Sequence, residues 1–250
     1  MKKLLLSGIA VFALMTAGSA QAADVDLTGA TGVARTPLAM SAAPMKVAIA
    51  GDYVFSDDLF VPVRFTVGLP MGIEVGGAYW FMDTDNDPKI WDLSAKYVLP
   101  KFVEGLGIAV GGHYNAISTD PDFDANGFDV YGVATYLVPL GEGMTLIPSA
   151  GAKYQNIGGD IDESGFKFFG SLLFKMDMFA VGGEIVTQNE DLDFLEGGSE
   201  SDASYWVGGR FYVNPMITVQ AGYLNNANVG GDFKDGVFHA GVQFAFGGAQ

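Results

Sequence analysis

The sequence predicts an all-β fold: a transmembrane antiparallel up-and-down β-barrel of about 12 strands. Three observations carry this prediction. Apolar and polar residues alternate in runs of about ten, the length a tilted spanning strand needs. The connections between runs alternate between short and long. After the N-terminus no apolar stretch is long enough for a spanning helix, although the chain is 49% hydrophobic and 13% aromatic and holds 35 glycines. In hydrocarbon an unpaired backbone N–H or C=O has no partner, so an apolar chain without spanning helices must close its strands into a barrel.

The first element is an export signal. Lys2 and Lys3 form a positive start, an apolar stretch runs from Leu4 to about Ala17, and Ala20-Gln21-Ala22 supplies small residues for cleavage before Ala23. The expected organisation is a cleavable signal at 1–22, an N-terminal segment at 23–44, the barrel at 45–246 and a tail at 247–250. The segment at 23–44 reads equally as a lead-in, a lumen plug or an extra strand. The chain has no cysteine, which excludes disulfides, thiolate metal sites and a lipid-anchored cysteine. Without the signal lysines, 11 Lys+Arg face 29 Asp+Glu, a formal charge of −18. That balance argues against nucleic acid as a partner.

The alternating runs follow in order: Met45–Phe55, Phe60–Leu69, Gly72–Met82, Lys89–Leu99, Gly105–Ala116, Gly127–Val138 and Gly143–Gln155. They continue with Ser164–Lys175, Met178–Gln188, Asp202–Val213, Met216–Asn225 and Gly236–Phe246. Short turns such as Pro70-Met71, Gly141-Glu142, Asp177 and Asn214-Pro215 follow the even runs, and longer connections follow the odd ones. This asymmetry orients a barrel, with short turns and both termini on the inner side of the membrane. The acids are sorted to the long-connection rim: Asp57 and Asp58, Asp83 to Asp87, Asp120 to Asp124, Asp160 to Glu163, Glu190 to Asp202, and Asp232 and Asp235.

The faces of the runs are the strongest signal. In Gly72–Met82 one face carries Ile73, Val75, Gly77, Tyr79 and Phe81, while the other carries Glu74, Gly76, Ala78 and Trp80. On the apolar faces aromatics collect at both ends. Tyr53, Phe81, Trp91, Tyr114, Phe128, Tyr205 and Phe238 lie near the long connections; Tyr97, Tyr136, Phe174, Phe179 and Phe211 lie near the turns. Two aromatic girdles around a band of Val, Ile, Leu, Ala and Gly suit two membrane–water interfaces. A soluble β-sandwich or lipocalin-like barrel would turn its charges outward instead.

The inward faces hold the candidate functional residues. Lys46, Arg64, Lys96, Lys153, Lys167 and Arg210 share the lumen with Asp52, Glu74, Asp92, Asp129 and Glu184. Opposed charges around a pore set ion and solute selectivity, and Arg64, Asp92, Lys96, Glu184 and Arg210 lie nearest the middle of their strands. The competing reading is that these charges pair with one another and, with Trp80, Tyr131, Phe169, Trp206 and Tyr212, fill a narrow interior.

Two other chemistries are weaker. Asp122, Asp124 and Asn126 match the first half of a calcium-loop pattern, but the position for its bidentate glutamate is Val133. Solvated loop charge is the simpler reading, with divalent cations bridging rim carboxylates to lipopolysaccharide as a diffuse role. For nucleophilic catalysis only His113 and His239 are present; neither has a serine beside it along the chain, and no cofactor motif occurs. The expectation is a chain that is not an enzyme and carries no cofactor.

Signal, girdles, connection pattern and the last strand VFHAGVQFAF together resemble the bacterial outer-membrane β-barrel, porin-like superfamily over residues 1 to 246. The resemblance implies export to the outer membrane and lipid and lipopolysaccharide as surroundings. It also implies passive flux of small hydrophilic solutes, and Phe246 as the terminal aromatic read by the barrel assembly machinery. Gly247–Gln250 depart from the pattern by following it. GATGVARTPLA at Gly29–Ala39 is similar to the opening of barrels associated with exopolysaccharide export. A non-conducting structural or adhesive barrel acting through its acidic loops is the alternative. Oligomeric state is open.

Overall fold

The computed structural model describes residues 26, 30, 32–34, 36–56, 59–83, 89–100, 103–119, 123–159, 163–187, 203–225 and 236–247. The signal segment and most of the rim acids lie outside these residues.

Strands follow one another as β1 (Lys46–Phe55), β2 (Leu59–Gly68), β3 (Ile73–Asp83), β4 (Lys89–Val98), β5 (Leu106–Thr119), β6 (Phe123–Tyr136) and β7 (Val138–Gly141). Then come β8 (Met144–Gly159), β9 (Glu163–Lys175), β10 (Phe179–Val186), β11 (Ser204–Asn214), β12 (Ile217–Asn225) and β13 (Val237–Gly247). Apart from β6 and β7, consecutive strands pair antiparallel, and β1 pairs with β13 from Lys46↔Gly247 to Phe55↔Phe238. β6 and β7 both pair with β8 and form one wall strand interrupted at Leu137, so the sheet closes as a 12-strand barrel. Closure leaves no open edge, so the ladders satisfy the wall's backbone polar groups without water.

The turns have local causes. Gly141 and Met144 pair across a two-residue turn whose Gly143 has φ 68°, a conformation glycine adopts without strain. At the β11–β12 turn, Asn214 Oδ1 accepts hydrogen bonds from the backbone N–H groups of Met216 at 2.8 Å and Ile217 at 2.9 Å. That bond pattern is how asparagine templates a tight turn.

The strands match the alternating runs to within a few residues, except at the tops of β5, β6 and β8. There the ladder runs on through Thr119↔Phe123 and Ala125↔Gly159, into polar positions read as connections. Once pairing has begun, neighbouring backbones continue it even where side-chain alternation ends.

Burial is inverted relative to a soluble protein. Ile49, Phe65, Leu93, Val110, Val130, Phe168, Leu172, Ile185 and Val207 are exposed, while Arg64, Glu74, Lys46 and Asp52 are buried. Below Asp83, Lys89 and Asp124, no charged residue among the described strand positions has outward parity. In water so continuous an apolar surface would aggregate; facing lipid, it is the solvated side. Girdle rings pair along and across strands: Tyr79 and Phe81 of β3 stand edge to face at 4.7 Å, Tyr223 and Phe238 of β12 and β13 edge to face at 5.1 Å, and Trp91 and Tyr114 of β4 and β5 are tilted at 5.3 Å.

Inside, large aromatics lie flat on neighbouring glycines. A Cβ on Gly111 would stand 2.4 Å from the Tyr131 hydroxyl, and one on Gly151 would stand 2.3 Å from the Phe169 ring. The glycine-rich composition therefore serves packing in a narrow lumen, not only turns.

Candidate functional site

The candidate site is the lumen. Alternation turns Lys46, Asp52, Arg64, Glu74, Lys96, Asp129, Lys167, Glu184 and Arg210 inward and buries them. Asp92 and Lys153 lie half-buried on the same inner surface. An ionised group away from water needs a partner, and the structure supplies them as local networks.

The first network spans β1, β2, β11, β12 and β13. Arg64 pairs with Oδ2 of Asp52 on the next strand. Asp52 Oδ1 accepts from Gln220 Nε2 at 2.7 Å and from His239 Nδ1 at 3.1 Å. His239 Nε2 in turn accepts the indole N–H of Trp206 at 2.7 Å. An indole nitrogen only donates, so Nε2 carries no proton and the imidazole is the neutral Nδ1–H tautomer.

The second network lies on β3 to β8. Lys96 Nζ sits 2.9 Å from Glu74 Oε1, and Lys153 Nζ 3.3 Å from Asp129 Oδ2. His113 Nδ1 lies 3.2 Å from Asp129 Oδ1, and Trp80 donates to Asp92 at 3.3 Å. Cross-strand register sets Ser94 opposite His113 and His113 opposite Asp129. A serine therefore stands beside His113 in space although none does along the chain, which corrects the reading of that histidine. His239 has no such neighbourhood, because Trp206 occupies its Nε2.

The N-terminal segment crosses the lumen. Its described residues Ala30, Val33, Ala34, Thr36, Leu38, Ala39 and Ala42 are buried. Gly32 and Pro37 form an isolated bridge closed by the Val33 N–H to Thr36 O bond at 3.0 Å. Glu184 Oε2 accepts from the backbone N–H of Ala34 and of Thr36 at 3.1 Å each, and from the Thr36 hydroxyl at 2.8 Å. Arg210 donates to the carbonyl of Gly32 at 3.0 Å and to that of Val33. Lower down, Ala39 N–H donates to Thr135 Oγ1 at 2.9 Å and Ala42 N–H to Glu74 Oε2 at 2.7 Å.

Sequence reasoning thus placed the charged side chains on the inner face but did not find Thr36 and Gln220 as partners of Glu184 and Asp52, Trp206 as the partner of His239, or Thr135 as a holder of the N-terminal segment. For Thr135 and Gln220, inward parity in β6 and β12 was the available signal; Thr36 sits in a segment with no alternation to read. Of the calcium candidates, Asp124 and Asn126 belong to the β5–β6 ladder opposite Ser118 and Ala116, extended backbone rather than a ligand loop. Asp122 lies outside the described residues. Among the described residues no group of three or more His, Cys, Asp or Glu could hold a metal ion.

No protein-family model matches the chain, and no curated protein matches it. Solved structures share its architecture. The KdgM porin is 12% identical with a TM-score of 0.54, over 81% of this chain and 99% of that one. The KdgM porin in complex with disordered oligogalacturonate gives 12% and 0.55 over the same shares. The NanC porin gives 12% and 0.55 over 79% of this chain and 98% of its own. The chain shares the barrel fold of these porins.

Proposed function

We propose that the chain is a passive outer-membrane channel for small hydrophilic solutes, exported by its N-terminal signal and embedded in lipid and lipopolysaccharide. One observation carries the reading: below Asp83, Lys89 and Asp124 the described outer wall is uncharged, and it encloses an inner wall lined with both signs of charge. Charges cost least in hydrocarbon when they face a polar interior, and opposed charges around a path sort solutes. Arg64, Asp92, Lys96, Glu184 and Arg210, with Asp52, Lys153 and Lys167, are the residues that would set that selectivity. Phe246, opposite Val47 in the closing ladder, is where the assembly machinery would read the last strand.

Reconstitution in planar bilayers tests the reading. A stable conductance step is expected, and its absence would sink it. Arg64→Ala or Arg210→Ala removes a positive charge from the inner wall, so reversal potentials should move toward cation preference. Oligogalacturonate, present in a complex of one structural neighbour, is a first anionic solute for flux measurements. The second reading, a non-conducting structural barrel, is favoured by the burial of Arg64 and Glu74 and by the segment bonded across the lumen. It predicts silent bilayers for wild type and variants alike.

A further inference from the structure

We propose that the N-terminal segment is a tethered gate, held shut by Glu184 and Arg210. The inference rests on the channel reading and adds how the channel opens.

The wall is shaped for this segment. Gly68 and Gly107 have inward parity in β2 and β5, and the segment's backbone runs directly over them. A Cβ on Gly68 would stand 2.2 Å from the Ala43 carbonyl oxygen, and one on Gly107 would stand 2.4 Å from that of Ala39. Any other residue at either position would push the segment off the wall.

The bonds that hold the segment are of a kind that exchanges. It joins no ladder of the barrel, and the isolated Gly32–Pro37 bridge is internal to it. Beyond the Met45 N–H to Gly68 O bond at 2.8 Å where it enters β1, side chains anchor it on four strands. Glu74 and Thr135 hold the lower part; Glu184 and Arg210 hold Gly32, Val33, Ala34 and Thr36. Glu184 takes N–H and hydroxyl donors of these residues while Arg210 takes carbonyls, so one side chain of each charge clasps the segment's groups of opposite polarity. Water can take over every one of these bonds as the segment lifts away. Four of its buried side chains are alanines, while Val33 and Leu38 sit in the apolar cluster that holds Trp206, so opening the gate exposes those two aliphatic side chains as well as exchanging the bonds. The tether at Met45 keeps the displaced segment at the turn side of the barrel, ready to return.

Because the chain has no cysteine, one engineered pair can lock the gate without competing thiols. Ala39→Cys with Thr135→Cys bridges the segment to β6, where Ala39 N–H already meets the threonine side chain. Conductance of the full chain in planar bilayers is compared under oxidising and reducing conditions, with mass spectrometry confirming the disulfide. The oxidised protein should be silent and the reduced protein should conduct. Glu184→Gln, which keeps the side-chain shape, should raise the open-to-closed ratio by about tenfold, the worth of one charge-assisted hydrogen bond. Equal conductance of the oxidised and reduced pair overturns the gate and leaves the channel reading standing. A pair that cannot be cross-linked overturns it too, because the segment is then not at Thr135. Silence of wild type, reduced pair and Glu184→Gln together overturns the channel reading and the gate with it.

Discussion

The indole N–H of Trp206 donates to Nε2 of His239 at 2.7 Å, and this bond fixes which nitrogen of the imidazole carries its proton. Nδ1 must hold it and donate to Asp52, the carboxylate that also receives Arg64. Gly222 makes room for the contact: a Cβ there would stand 2.3 Å from the indole nitrogen and 2.9 Å from His239 Nε2. Nitrogen chemical shifts of labelled protein in lipid should therefore report the Nδ1–H tautomer. Gly222→Ala should abolish the hydrogen-bonded indole N–H signal. An Nε2–H tautomer in the wild type would contradict the network.

Asp52 and Arg64 predict an asymmetry between removing one partner and removing both. Asp52→Asn leaves the Arg64 guanidinium buried at 1% exposure without its counter-charge. Breaking a buried pair in this way costs about 3–5 kcal/mol. Replacing both with apolar residues of similar volume should cost far less, since neither charge then has to leave water. Denaturant unfolding in lipid vesicles of Asp52→Asn and of the double variant Asp52→Leu/Arg64→Met checks this. Equal losses would mean that hydration, not Asp52, satisfies Arg64.

These networks also show what was legible beforehand. Parity along a strand settles which face Asp52, Arg64 or Glu184 occupies, because a period of two permits no other answer. It does not settle which charges meet, because that depends on register between strands: Ser94, His113 and Asp129 fall in one row only once β4, β5 and β6 are aligned. The segment around 32–44 had no period to read at all. Its Gly, Ala, Thr and Pro residues fit a lead-in, a strand or a lumen segment equally, and Gly68 and Gly107, where it lies, gave no local sign of a backbone passing over them.

Ser94, His113 and Asp129 have the residue types of a hydrolytic triad, so their chemistry can be tested outright. Lys153 shares Asp129 with His113, and the buried row opens onto the lumen interior rather than the lipid. A nucleophilic serine also needs donors converging where an oxyanion would form, and inward-facing positions next to this row include Gly111 and the ring of Tyr131. The expected outcome is no labelling of the folded protein by a fluorophosphonate probe in lipid. Labelling that disappears in Ser94→Ala and His113→Ala would establish a hydrolase and remove the purely passive reading.

Val207 separates a membrane barrel from a soluble one. It sits on the outward face of β11 between Tyr205 and Phe211, and is 56% exposed. In a soluble barrel an exposed valine on a strand accepts arginine with a change of about ±0.5 kcal/mol. In a membrane barrel the guanidinium would sit near the bilayer midplane, where the cost is about 2–4 kcal/mol and falls to about 0–1 kcal/mol near an interface. Val213 supplies the control: it faces the same way at 51% exposure but lies beyond Phe211, beside the Asn214 turn. Unfolding free energies in lipid vesicles should show Val207→Arg strongly destabilised and Val213→Arg nearly unchanged. Equal, small effects at both positions would mean that the apolar band does not face hydrocarbon, and the girdles of Tyr53, Tyr79, Trp91 and Phe128 would need another explanation.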